Sequence, residues 1–223
     1  MKPFPNKELL TPEQLKFLEL VNENTSINKL FKFSGGTALT TFYIPYRYSD
    51  DLDFFSEQIF EPIGITNFIA SLKKQLGFNE YTYTASFNRN LYFLRFDNGY
   101  ELKIEFTYYP FATIKPPLKF GNINVDSEYD LAVNKLFTIY QNPSLRHFMD
   151  LYMLIKKYEF SFEEIKKDAQ IKFGTYIEHI QLGSQLLKVE SLEDSPRLIQ
   201  QLDSNWKKYF LKMAKNLSST VLA

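Results

Sequence analysis

The sequence predicts an α+β protein, strands first and helices after, on three observations. Apolar and polar residues alternate with period two in several stretches before residue 125, an Asn98-Gly99 turn joins two of those stretches, and from Ser127 onward nearly every segment has helical period. The boundary falls near residue 125, with an N-terminal domain over 1–125 and a helical C-terminal domain over 126–223.

Thr11-Pro12-Glu13-Gln14 is a capping box with proline at the first helical position, and Leu15, Leu18 and Val21 follow at helical spacing. Leu30 to Phe33 reads as a short apolar strand that stops at Gly35-Gly36, after which Thr37 is expected to cap a helix ending before Pro45. Asp51 to Phe55 alternates acid and apolar residues as a half-buried strand does, and Pro62 to Leu76 has the spacing of one amphipathic helix ended by Gly77. Strands are expected over Tyr81–Phe87, Leu91–Phe96 and Tyr100–Tyr108, and another over Leu118–Val125. In the third of these, Tyr100, Leu102, Ile104 and Phe106 share a core face while Glu101, Lys103 and Glu105 share the polar one. Beyond it, Ser127-x-x-Asp130 and Ser161-x-x-Glu164 resemble capping boxes, Ser144 is expected to cap a helix through Lys157, and Pro196 to start a last helix through Leu217.

Bulk composition removes several classes of function. The chain has 223 residues, 44% hydrophobic and including 22 Phe and 15 Tyr, which is too apolar for disorder. Lysine plus arginine equals aspartate plus glutamate at 26 each, so an anionic ligand must be held by a local patch and not by net charge. No cysteine is present, which excludes disulfides, thiolate metal sites and cysteine nucleophiles. No apolar run reaches the roughly eighteen residues of a membrane span, and the expectation is a soluble cytoplasmic protein without a membrane partner.

In a strand, residues two apart point the same way, so Asp51 and Asp53 are expected to project together while Leu52 and Phe54 enter the core. Such a pair of acids is stable in solvent or beside a divalent cation, and carboxylates without histidine or thiolate favour Mg²⁺ or Mn²⁺ over zinc. Phosphoryl transfer through metal ions needs a further acid from another strand, and Glu105 is the candidate, with Lys103 on the same face to hold phosphate or balance charge. The Gly35-Gly36-Thr37 turn joins a strand to a helix start, where backbone N–H groups and the helix dipole suit the terminal phosphates of a nucleotide. Arg47 and Ser49 precede the acids and either touch phosphate or shape the turn. Read separately, the aspartates are a solvated strand edge and the glycines an ordinary turn; their order along the chain is what joins them.

In that order, "SGGTAL", "RYSDDLDFF", "LKIEF", "DLAVNKLF" and "RHFMDLYML" resemble the AbiEii/AbiGii abortive-infection toxin family of the nucleotidyltransferase superfamily. The resemblance implies a nucleotidyltransferase fold, a mixed sheet flanked by helices, followed by a helical C-terminal domain. It also implies a nucleoside triphosphate substrate with Mg²⁺ or Mn²⁺, a separately encoded antitoxin, and tRNA, to whose ends some members add nucleotides, as an acceptor. Carried over by residue, Gly36 and Thr37 belong to the phosphate turn, Asp51 and Asp53 to the metal pair, Glu105 to the third acid, Lys135 to the lysine that meets the triphosphate, and Asp150 to the last acidic motif. The family usually has aspartate where this chain has Glu105, and a second acid in the motif that here reads Arg146-His147-Phe148-Met149-Asp150. Three functions are therefore open: a toxin-type nucleotidyltransferase, a small-molecule (antibiotic-type) nucleotidyltransferase, and a nucleotide- or partner-binding module with degraded catalysis.

Overall fold

The computed structural model describes residues 3–194 and 196–221, with side chains as far as Leu217 in the last helix. The chain clusters into two compact units, Met1–Ala112 with Pro116–Ser127 and Thr113–Lys115 with Glu128–Ala223.

The first unit contains helices α1 (Pro12–Glu23), α2 (Thr25–Leu30), α3 (Gly35–Phe42), α4 (Pro62–Ser71) and α5 (Lys73–Leu76). Its strands are β1 (Lys32–Ser34), β2 (Leu52–Ser56), β3 (Glu80–Ser86), β4 (Arg89–Arg95), β5 (Glu101–Tyr108), β6 (Leu118–Phe120) and β7 (Ile123–Val125). They form one seven-stranded sheet in the order β3-β4-β5-β2-β1-β7-β6. The sheet is mixed, as the family resemblance implies: β2 runs parallel to β5 and β1 to β7, whereas the other neighbours are antiparallel.

One line of aromatic residues sets the register at the centre of this sheet. Phe33, Phe54 and Phe106 are direct cross-strand partners on β1, β2 and β5, all buried, with ring centroids 5.2 and 5.0 Å apart. Aromatic cross-strand pairs of this kind stabilise a sheet by about 0.2–1 kcal/mol each. A slip by one residue would turn the rings out of the core, so the same line fixes what the opposite face carries.

The capping box at Thr11 forms as expected, and its glutamine has a second task. Gln14 Oε1 accepts from the Thr11 backbone N–H while Nε2 donates to the carbonyls of Ser49 and Asp50, tying the start of α1 to the loop that leads into β2. The hairpin through Gly99 also forms, with Gly99 at φ +77°.

Elsewhere the boundaries move. Leu30 ends α2 instead of starting a strand, the segment Pro62–Leu76 is two helices, and Leu118–Val125 is two short strands about a turn at Gly121. Helix α3 starts at Gly35, so Thr37 lies inside its first turn and is not the cap; its hydroxyl donates to the Asp51 carbonyl at 2.5 Å.

The second unit is helical: α6 (Glu128–Gln141), α7 (Leu145–Tyr158), α8 (Phe162–Phe173), α9 (His179–Leu187) and α10 (Trp206–Val221). Ser161 caps α8 as its motif predicts. Ser144 does not cap α7 through its own side chain; the Asp194 carboxylate accepts from the backbone N–H groups of Leu145 and Arg146 and from the Ser144 hydroxyl. An ionised acceptor at a helix N-terminus also interacts favourably with the dipole, which a hydroxyl does not. Helix α10 begins ten residues beyond Pro196, because Asp203 forms a turn that accepts from the Asn205 and Trp206 backbone N–H groups and holds the Tyr152 hydroxyl. The segment 113–115 is fixed to the helices by Asp130, whose two carboxylate oxygens accept from the backbone N–H groups of Ile114 and Lys115 at 2.9 Å, with Lys172 Nζ at 2.7 Å from Oδ1.

Candidate active site

The register that buries Phe33, Phe54 and Phe106 aligns Ser34, Asp53 and Glu105 one position along, on the opposite face of β1, β2 and β5. The acids therefore meet because the phenylalanines pack. Asp51, just before β2, and Lys103 on β5 stand two residues earlier on their segments, and Lys103 Nζ lies 2.6 Å from Asp51 Oδ2.

The glycine turn touches this row directly. Gly35 has φ +75°, and a β-carbon built there would lie 2.0 Å from Asp53 Oδ2, so the carboxylate occupies the place where a side chain would stand. At Gly36 the same construction meets Arg47 Nη2 at 2.6 Å and Ser49 Oγ at 2.7 Å. Arg47 is buried and donates to the Tyr48 carbonyl and the Tyr46 hydroxyl, so it helps to shape the wall behind the turn. Gly35→Ala is expected to cost about 1–3 kcal/mol of stability through its backbone conformation. By displacing Asp53 it is expected to lower catalysis on the order of 100-fold. Thermal denaturation and a transfer assay check this; wild-type values for both would show that the close approach is unimportant.

Glu105 arrives on the expected face but with its oxygens engaged. Arg89, at the start of β4, donates through Nε to Oε1 at 2.7 Å and through a terminal nitrogen to Oε2 at 2.5 Å, and the Thr107 hydroxyl donates to Oε1 at 2.6 Å. Burial pushes the Glu105 carboxyl up, but the hydrogen bonds from Arg89 and Thr107 and the charges of Arg89 and Lys103 outweigh it and hold it below the usual carboxylate range. Reciprocally, the hydrogen bond to Glu105 raises the Arg89 guanidinium above its ordinary value against some desolvation, and the charges of Glu105, Asp53 and Asp51 add to the effect.

Sequence reasoning missed Arg89, Thr107, Ser34 and Asp126. Ser34 Oγ donates to Asp126 Oδ2 at 2.7 Å, and Asp126 continues the β1–β7 pairing through its backbone N–H to the Phe33 carbonyl. Thr107 shared the alternation that singled out Glu105, whereas Arg89 opens the neighbouring strand β4 and no local spacing points to it.

The two remaining candidates belong to the helical unit. Lys135 on α6 and Asp150 on α7 are both buried and form an ion pair at 2.7 Å.

Asp51 and Asp53 have the donor chemistry for a hard cation, oxygen only and without histidine. Among the described residues no group of three or more histidine, aspartate or glutamate side chains is gathered so that it could hold a metal ion. Magnesium and manganese keep waters and take substrate phosphates as further ligands. Also among the described residues, no helix is long and apolar enough to cross a membrane.

Comparison with known proteins bears on the fold and the family. The crystal structure of JHP933 from Helicobacter pylori superposes with a TM-score of 0.59 at 18% identity, covering 97% of this chain and 94% of that one, which establishes a shared fold. The uncharacterized protein aq_aa25 of Aquifex aeolicus is 30% identical over 168 residues, 74% of this chain and 76% of its own. The family description "Nucleotidyl transferase AbiEii toxin, Type IV TA system" matches residues 20–222, nearly the whole length. The chain belongs to the AbiEii nucleotidyltransferase toxin family.

Proposed function

We propose that this protein transfers a nucleoside monophosphate from a nucleoside triphosphate to a hydroxyl acceptor, as the toxin of a toxin–antitoxin pair. The observation that supports the reading is the approach of Asp53 to the Gly35 backbone, which brings the glycine turn against one of the two acids. Asp51 and Asp53 would hold Mg²⁺ or Mn²⁺, which when bound supplies charge neutralisation to the transferring phosphoryl group. The turn from Gly35 to Thr37, at the N-terminus of α3, would receive the terminal phosphates. Lys103 balances Asp51 and stands ready for a phosphate oxygen. Catalysis of this kind rests on positioning and electrostatics, with little covalent work for the protein.

Its test is a panel of acceptors with labelled nucleoside triphosphates, with and without Mg²⁺ or Mn²⁺. Metal-dependent label on tRNA is the expected result. Label confined to aminoglycosides would replace the toxin reading by small-molecule modification. The engagement of Glu105 by Arg89 favours one second reading, a nucleotide-binding module without turnover, and triphosphate binding with no label on any acceptor would establish it.

A further inference from the structure

The acids lie between two features of opposite character. On the β1 side is the glycine turn; on the β4 side is Arg89, and the strand order β4-β5-β2-β1 keeps the two apart. Arg89 is held by Glu105 in a two-bond clamp, yet half of its side chain is exposed, against 7% for Glu105. Both bonds use one edge of the guanidinium, so the outer Nη1 edge of the fork remains for a ligand. A buried carboxylate clamping a half-exposed arginine fixes the direction of a cation, which is what recognition of a phosphate diester needs. Next to Arg89, the hairpin turn carries Phe87, wholly exposed at 105% and with φ +51°, a left-handed conformation in which phenylalanine is rare. An exposed aromatic two residues from a half-exposed arginine on one hairpin offers the two kinds of contact by which proteins hold an unpaired base and its phosphate.

We infer that Arg89 and Phe87 form the acceptor-side binding edge of this site, for single-stranded nucleic acid, and that Glu105 positions Arg89 and is not a metal ligand. The inference rests on the transferase reading for the word acceptor, but its binding step does not.

The test uses the full chain and a fluorescein-labelled single-stranded oligoribonucleotide in anisotropy titrations, with Mn²⁺ binding followed separately by electron paramagnetic resonance. R89A is expected to weaken oligonucleotide binding roughly tenfold and to flatten the salt dependence by about 0.7 in log K against log salt, the loss of one phosphate contact to a single strand. F87A is expected to weaken binding by a similar factor without changing the salt slope. R89K should recover part of the affinity, and the double variant R89A/E105Q removes the charge that R89A alone leaves buried. Mn²⁺ affinity in E105Q should stay within twofold of wild type, whereas D53N should lose it.

Unchanged oligonucleotide affinity in both R89A and R89A/E105Q overturns the inference, as does loss of Mn²⁺ binding in E105Q to the extent seen in D53N, or absence of oligonucleotide binding by the wild type. Failure of the transferase reading has a different signature: no label transferred to any acceptor while Arg89-dependent oligonucleotide binding persists.

Discussion

Nucleotidyl transfer is expected to be lost, by on the order of 10³-fold or more, when Asp51 and Asp53 are both replaced by asparagine. Asparagine keeps the shape of each side chain, including the contact of Asp53 with Gly35, so the loss reports charge and not packing. Asp51 is partly exposed and bonded to Lys103, and neither aspartate is among the core side chains that set the register. The melting temperature should therefore stay near that of the wild type. The measurement is incorporation of labelled nucleotide at saturating Mg²⁺, with thermal denaturation of the same sample. Growth inhibition by the expressed chain should disappear in parallel. A double variant that retains transfer within threefold would remove the acid pair from the mechanism.

The largest effect on stability is expected in the helical unit. Asp150 is fully buried and paired with Lys135, so Asp150→Ala leaves an ammonium in the interior without this partner. Breaking a buried pair from one side costs about 3–5 kcal/mol. Replacing both partners with apolar residues of similar size, as in K135M/D150L, is expected to recover most of that loss, because the desolvation of both charges is removed together. Denaturant unfolding measures both variants, and a loss below about 1 kcal/mol in the single variant would mean that the pair does not hold α6 to α7. Transfer activity of the double variant then reports whether Lys135 does more than neutralise Asp150.

Much of the fold was legible because its signals are local. The capping box at Thr11, the hairpin through Gly99 and the alternation of Leu102, Ile104 and Phe106 each depend on a few neighbouring residues, and each forms as expected. Boundaries that depend on distant partners were not legible. The N-terminus of α7 is satisfied by Asp194, nearly fifty residues on, and the start of α10 by a turn bonded to Tyr152.

At the candidate site, the sequence by itself determined which residues are present and which way they face. Period-two alternation puts Asp53 and Glu105 opposite the core, and two successive glycines provide the backbone that can lie against a carboxylate. Only the tertiary structure decided what those residues touch. The pairing of β2 with β5 brings Asp53 beside Glu105 across more than fifty residues, and the pairing of β4 with β5 delivers Arg89 to Glu105 before any ligand arrives. Alternation is a property of one strand, whereas the partner of a charge is set by which strands lie side by side: burial of Phe33, Phe54 and Phe106 in a common core aligns β1, β2 and β5, and β4 joins them through its own core residues Tyr92 and Leu94, paired with Ile104 and Leu102.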